Sequence, residues 1–513
     1  MRSHKLTIMA KLNIHGVLAM MGRQSPYQYK FFMKGFSLEK RVRKDHVLRR
    51  ISEEVDFDFI YEEVKDSYGL NGNVSVPPPI ILKMMLLLIL YNVRSERELM
   101  QTIPERMDWM WFLGYDLDDE IPDHSVLSKA RARWGVEAFR RFFERIVGQC
   151  VEAGLVDGSK LFVDASLLEA DASNNSVIDR EKLKKELKES YPRLEERLDD
   201  SAGQKTAPAN SRYISTTDPD ASVTRHSVGQ SKLRYKTHRG VDPKHEVITT
   251  TMVTPGSTDE GAVLQEMVER HEQNTGQEVE TAVADSRYGT IENFLLCHDS
   301  GIQAHIPSLE ESHRGFGRRE DIFPKEAFTY HPDTDCFICP AGKELRRRHF
   351  YKDRKHYEYK AASGVCARCR LRAKCTRSQY GRTLKRHERQ DGLDLILGES
   401  KSLEAQRDIK TRQHLSERSF ARSTRYGYKR ARWRRLWRVQ IQDFLIAAIQ
   451  NIVVLINHSM GTLSKNNHPI AKVEGHFYAL LTKARLFLIS YLPPLNSIVP
   501  AFMKRFGQQP VVC

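Results

Sequence analysis

Three carboxylates and five thiols are the residues of this chain whose types and spacing could do chemistry. Cutting and transferring phosphodiesters at neutral pH is chiefly a charge problem, met by two divalent ions about 3.5–4 Å apart that stabilise the attacking and leaving oxygens. Mg²⁺ or Mn²⁺ takes hard oxygen ligands, so such a site gathers two or three carboxylates from separate elements. Asp164 closes the apolar run Leu161-Phe162-Val163, and Asp285 closes the alternating run Val279, Thr281, Val283. Both are expected at strand tips that can converge on one ion. Glu417, just before Phe420 and a very basic helix, is the expected third acid. With 66 Asp and Glu in the chain, any single acid is more often a solvated surface charge, so its surroundings decide.

Between Lys401 and Gln440 stand 13 Lys and Arg against three Asp and Glu. Arg418, Arg422, Arg425 and Lys429 recur at steps of four, three and four, which is one face of a helix. Tyr426, Tyr428, Trp433 and Trp437 are interleaved. Like charges at that spacing destabilise an isolated helix, and a polyanion facing them is the natural compensation. The alternative is a solvated basic face.

The thiols are more specific. Cys336-x-x-Cys339 and Cys366-x-x-Cys369, with 26 residues between the pairs, match tetrahedral thiolate zinc sites. Cys375 is a fifth, so the ligand set is open: 336/339/366/369, or 339/366/369/375. One zinc would add on the order of 10 kcal/mol of folding free energy to a stretch expected to lack a core. Free or redox thiols are the alternative. Cys150, Cys297 and Cys513 read as ordinary thiols, and His124 and His238 as structural.

The elements that must position these groups follow from the rest of the chain. Its 513 residues call for more than one folded unit, and 40% hydrophobic with 29% charged residues argues against global disorder. Lys and Arg number 81, leaving a formal charge of +15, which points to a polyanionic partner. No apolar run reaches the roughly 18 residues that span a bilayer. The best two, 80–90 and 444–456, are interrupted by Lys83 and by Gln450 and Asn451, and read as buried helices. The basic start, with no acid before Glu39, reads as an arm or an early start codon rather than a signal peptide.

Residues 46–150 look helical. Pro77-Pro78-Pro79 sets up an apolar helix over 80–93, Ser95 and Glu98 form a capping box, and Ser125 is the expected cap of the next helix. Trp109, Trp111 and Phe112 read as core anchors. Strand and helix patterns then alternate from 160 to 306, with a cap at Thr258 or Asp259, and the stretch 201–231 reads as a polar surface excursion.

Taken in order, the motifs resemble the DDE transposases of bacterial insertion sequences. They are Lys83-Met84-Met85-Leu86-Leu87-Leu88 with Ser95-Glu96-Arg97-Glu98-Leu99, Trp111-Phe112-Leu113-Gly114, and Pro122-Asp123-His124-Ser125. Val163-Asp164-Ala165-Ser166, 215–221, Tyr235-Lys236-Thr237-His238 and Val253-Thr254-Pro255-Gly256 leading to Asp259 follow. The series ends with Ala284-Asp285-Ser286-Arg287-Tyr288-Gly289, Cys339-Pro340-Ala341-Gly342-Lys343 and Glu417-Arg418-Ser419-Phe420.

The resemblance implies a ribonuclease H-like mixed sheet holding Asp164, Asp285 and Glu417 on Mg²⁺ or Mn²⁺. It also implies water attack at the element's end, strand transfer by the freed 3′-hydroxyl, a homo-oligomer pairing two ends, and work on DNA in the bacterial cytoplasm. The family's arginine four residues before the glutamate and lysine seven after it are replaced by Gln413 and Thr424. Arg412 and Arg425, each one residue away, are the expected substitutes, and Arg412, Arg418, Arg422, Arg425 and Lys429 are the expected DNA contacts.

The expected fold is therefore α/β, with an all-α domain in front and a small zinc-ribbon-like insertion. Its expected parts are a basic arm (1–45), a helical DNA-binding and assembly domain (46–150), and a first catalytic part (155–310, with a flexible excursion at 170–232). A Cys-rich insertion (311–400), a second catalytic part (401–460) and an unassigned tail (461–513) complete it. The competing readings are an inactive zinc-containing DNA-binding protein and a ribonuclease H-like nuclease without strand transfer.

Overall fold

Pro78 and Pro79 begin the apolar helix rather than precede it. Their missing N–H groups fall in the first turn, where a helix has no partner for them. The structure is a computed structural model that describes residues 37–69, 73–182, 210, 212–225, 230–309 and 322–465. Most of the expected arm, much of the expected excursion and the tail from 466 lie outside the described residues. The chain divides into two compact units, Met1–Leu455 and Ile456–Cys513. Of the second unit, only the end of one helix is described.

The helical region comprises α1 (Leu38–Arg41), α2 (Val47–Glu54), α3 (Ile60–Val64), α4 (Pro78–Leu90), α5 (Glu96–Thr102), α6 (Met107–Leu113), α7 (Ser125–Trp134) and α8 (Glu137–Glu152). α4 is buried around nearly its whole circumference. Lys83 is tolerated there because its ammonium lies over the rings of Phe57 and Phe112, at 5.2 and 5.3 Å. Ser95 caps α5 as expected, accepting the Glu98 N–H at 3.1 Å. Ser125 does not cap α7. It is the first helical residue, and Asp123 Oδ1 takes its N–H at 2.9 Å. Trp109 and Phe112 are buried, while Trp111 is half-buried at the surface.

A mixed sheet follows: β1 (Lys160–Glu169), β2 (Val177–Asp179), β3 (Tyr213–Ser215), β4 (Ser222–Arg225), β5 (Ser231–Asp242), β6 (Val247–Pro255), α9 (Leu264–Thr275), β7 (Thr281–Val283), α10 (Ile291–Ser300) and β8 (Gln303–His305). The strand order is β6-β5-β1-β7-β8. β5 runs antiparallel to both β6 and β1, whereas β1, β7 and β8 are parallel. β4 extends the β6 edge of β5, and β2 pairs with β3.

The described part of the expected polar excursion is thus folded. Ser215 and Asp218 are fully buried, and Asp218 accepts the Tyr235 hydroxyl at 2.7 Å. Asp218 and Asp220 also take the N–H groups of Arg435 and Leu436, each at 2.9 Å, at the start of the last helix.

The Cys-rich stretch forms an antiparallel sheet of β9 (Thr329–His331), β10 (Cys336–Ile338), β11 (Glu344–Tyr351), β12 (His356–Lys360) and β13 (Thr383–His387). Contrary to expectation it has a core of its own: Phe328, Phe337, Leu345, Tyr359 and Leu384. α11 (Gln390–Glu399), α12 (Leu403–Thr424) and α13 (Leu436–Lys465) complete the chain.

α13 explains its own polar interruptions. An edge strand leaves unpaired backbone groups that need a cover. Here Gln440 accepts the Val253 N–H, and Asn451 exchanges two hydrogen bonds, at 2.9 and 2.8 Å, with the backbone of Ile248 on β6. Over Leu436–Ser459 the helix is long and apolar enough to cross a membrane, which the interrupted apolar run did not suggest, but 89% of its most apolar window is buried in the protein.

Asp443, on the same helix, meets Arg239 of β5 at 2.8 Å, with both side chains at most 2% exposed. Removing one partner of such a pair strands a buried charge, typically at a cost of about 3–5 kcal/mol. Asp443→Asn should therefore lower the thermal unfolding midpoint by a loss of about that size. An unshifted midpoint would show that the pair is solvated.

Candidate active site

β1 does not end at Asp164. It runs five residues further against β5, and what stops near Asp164 is its parallel pairing with β7, last seen between Phe162 and Val283. The two aspartates each stand two residues beyond that pair, so one sheet opening receives both. Alternation along each strand splits the flanking residues. Leu161, Val163, Ala282 and Ala284 enter the core with α9, α10 and α11, while Phe162 and Val283 pack against Leu415 of α12 on the other side.

α12 is held on that face at two further points. Asp408 meets Lys160 at 2.8 Å and His305 Nδ1 at 2.6 Å. Arg412, 7% exposed, reaches Asp164 Oδ2 at 2.8 Å. Ser416 adds a hydrogen bond to Asp164. Arg412, expected from the sequence as a DNA contact, is thus an inner partner of the first aspartate.

Burial lifts the pKa of Asp164 above the ordinary carboxylate value, with Arg412 opposing. Burial likewise lifts Asp285, and the charge of Glu260 lifts it further. Glu417 is exposed on α12 and makes no hydrogen bond or ion pair among the described residues. It shares a helical stripe with Ala421 and Thr424, which line the cleft holding Asp285. Among the described residues no three His, Cys, Asp or Glu side chains are placed to hold a metal ion. The structure draws together a pair of aspartates rather than a triad.

The cleft has a volume of about 1260 Å³. Six cations line it (Arg225, Arg234, Lys236, Arg287, Lys429 and Arg430) against three acids, Glu169, Glu260 and Asp285. Of the basic strip expected from helical spacing, only Lys429 lies here. Arg418 and Arg422, one turn apart, both grip Glu246 in the β5–β6 turn, Arg418 at 2.7 Å, and Arg425 is exposed. The strip is therefore partly neutralised within the chain.

Sequence reasoning gave no role to Arg225, Arg234, Lys236, Glu260 or Arg287. Lys236 and Arg287 lie inside the quoted motifs, and Glu260 adjoins Asp259, which caps the turn after β6 by accepting the Gly261 N–H at 3.2 Å. His238 is buried, 3.2 Å from the Tyr288 hydroxyl and 2.9 Å from Thr254 Oγ1. Burial lowers its pKa to about 3, so it is neutral at pH 7.

The five thiols separate. Cys339, Cys366, Cys369 and Cys375 line one small cavity of about 30 Å³. Cys339 sits on a tight turn, its carbonyl taking the Gly342 N–H at 2.7 Å and its sulfur facing the Lys343 N–H at 3.4 Å. Burial raises the Cys375 thiol's pKa, Arg382 opposes, and the other three thiols add to the rise. Cys336 is elsewhere, buried on β10 with its sulfur 3.1 Å from Thr334 Oγ1.

Two family profiles match the chain: Transposase domain (DUF772) over residues 36–133 and Transposase DDE domain over residues 338–456. Glu417, Arg412 and the four thiols that line the small cavity fall in the second match, while Asp164 and Asp285 lie between the two. No curated protein and no solved structure matches the chain.

Proposed function

We propose that this chain, which belongs to the DDE transposases of insertion sequences, cuts phosphodiesters at element ends and joins the freed 3′-hydroxyl to target DNA, with divalent ions held at Asp164 and Asp285. The observation that carries this reading is the aspartate pair, set side by side at the end of β1–β7 pairing, with Asp285 lining a cleft that has twice as many cations as acids. The strand order, three antiparallel strands continued by two parallel ones, supports a ribonuclease H-like sheet.

The donors fit Mg²⁺ or Mn²⁺: two hard carboxylates whose charge water solvates poorly. When bound, such ions supply electrostatic stabilisation of the attacking and leaving oxygens. The chain's own contributions are positional. The β1–β7 register sets the separation of the two carboxylates. Arg412 holds Asp164 in one rotamer and offsets its charge until a dication does so. Glu417, on the stripe that faces the cleft, is the third ligand in this reading, and Lys429 with the other cleft cations holds DNA phosphates. Cys339, Cys366, Cys369 and Cys375 are proposed as the ligands of a structural zinc, since soft thiolates in this number suit it. Pairing of two ends implies at least two copies of the chain.

One observation favours a second reading, a chain that binds ends without cutting them: Glu417 stands exposed and apart from the pair. The test is incubation with linear DNA carrying the element's ends, a target plasmid and Mg²⁺. Cleavage followed by joining supports the proposal. Cleavage without joining identifies a nuclease, and binding alone identifies the inactive form.

A further inference from the structure

Glu260 is 5% exposed, yet it lines the cleft beside Asp285. Its Oε1 accepts a hydrogen bond from Arg287 Nη1 at 2.9 Å and forms an ion pair with Lys236 Nζ, 3.0 Å away. Lys236, also buried, donates a hydrogen bond to the Thr258 carbonyl at 2.8 Å. The Arg287 side chain is 66% exposed, so one end is fixed and its remaining N–H groups face the cleft. The Arg287 backbone N–H donates to Asp285 Oδ1 at 2.9 Å. One residue is therefore tied to the catalytic aspartate through its backbone and to Glu260 through its guanidinium.

The turn carrying Glu260 cannot drift from that loop. A Cβ at Gly261 would come within 2.8 Å of Thr290 Cγ2 and 3.2 Å of the Arg287 carbonyl. The Asn293 amide donates to the carbonyls of Gly261 and Tyr288, at 2.9 and 2.8 Å, and so clamps the two segments together.

We infer that Glu260 is a positioning residue that holds Arg287 and Lys236 as a clamp for a DNA phosphate next to Asp285. The inference rests on the reading of the cleft as the DNA site. A buried carboxylate facing a polyanion is otherwise unfavourable, and its use here is to order two cations whose spare donors match phosphate oxygens.

The sign of one effect tests it. Glu260→Gln removes a negative charge from a DNA-facing cleft, so simple repulsion predicts tighter binding. The clamp predicts weaker binding. With the full chain and a short duplex of arbitrary sequence, log K against log salt should flatten by about 0.9 for each phosphate no longer neutralised. Arg287→Gln should flatten it by one phosphate's worth, and adding Glu260→Gln to that variant should cost less than the two single effects summed. Glu260→Asp should recover part of the affinity. On end-carrying DNA, Glu260→Gln should cut about 10- to 100-fold more slowly with its Mg²⁺ half-saturation unchanged.

Tighter binding with an unchanged slope, or fully additive effects, would overturn the clamp. So would a Mg²⁺ half-saturation raised more than about tenfold at normal slope, which would make Glu260 a metal ligand. If the unaltered chain binds but never cuts, the cleavage reading falls and the salt slopes still decide the clamp. Should Glu260→Gln fail to fold, Arg287→Gln decides alone through its exposed side chain, an unaltered slope counting against.

Discussion

Asp164→Asn and Asp285→Asn should each slow DNA cleavage by about 10³-fold or more, while DNA binding stays within about twofold. Asparagine keeps the volume and the hydrogen-bonding shape but supplies no charged oxygen for a dication. Single-turnover cleavage beside a binding titration checks both halves. A variant that cuts at the normal rate would remove that aspartate from the site. Glu417→Gln should match them if its carboxylate joins the pair, and should be near neutral if it stays at the surface as in the present structure.

The same carboxylates set a pH dependence. Burial raises both above 3.8, so in the folded chain they keep their protons to a higher pH than in the unfolded chain. These two groups therefore stabilise the metal-free fold as pH falls through the window between the unfolded and the raised folded values, and that contribution is lost as pH rises through it. Protons and dications compete for the same oxygens. Cleavage at fixed Mg²⁺ should fall as pH drops into the raised window, and more Mg²⁺ should move that fall to lower pH. A profile indifferent to Mg²⁺ concentration would place the titrating groups elsewhere.

The second large effect belongs to the thiols. Replacing any of Cys339, Cys366, Cys369 or Cys375 by Ser should abolish a bound zinc of about one per chain and loosen residues 322–389 before the rest, because such an ion can supply roughly 10 kcal/mol of folding free energy. Cys336→Ser should keep the zinc, since its sulfur lies against Thr334 rather than in the shared cavity. Elemental analysis and limited proteolysis distinguish the five variants. Zinc lost from Cys336→Ser and kept in Cys375→Ser would reverse the assignment. The small aromatic core of this insertion implies that chelation loosens it without dispersing it.

Several features were legible in the residues because their causes are local. The Ser95 cap, the helices α4, α8 and α10, strand β1 with Asp164 and strand β7 leading to Asp285 follow from side-chain period and capping chemistry acting over a few positions. The transposase motifs were readable for the same reason, as short runs of fixed type and spacing, and the two family matches cover those between 83 and 125 and between 339 and 420. The paired cysteines showed that a thiolate site was possible but not which four residues build it.

What the tertiary structure alone decided is which charges meet. Helical spacing made Arg418 and Arg422 part of one basic face, yet Glu246, about 170 residues earlier, takes both, by a turn whose position no spacing rule gives. Arg412, chosen as a DNA contact for its place in a motif, turns inward to Asp164. Glu260 looked like any surface acid until β5 brought Lys236 to it and the loop after β7 brought Arg287. A charge's role depends on distance and on loss of water, both set by elements far apart in the chain. Periodicity reports only which face of its own element a residue occupies, and so the sequence by itself could put the aspartates forward as candidates but could not give their partners.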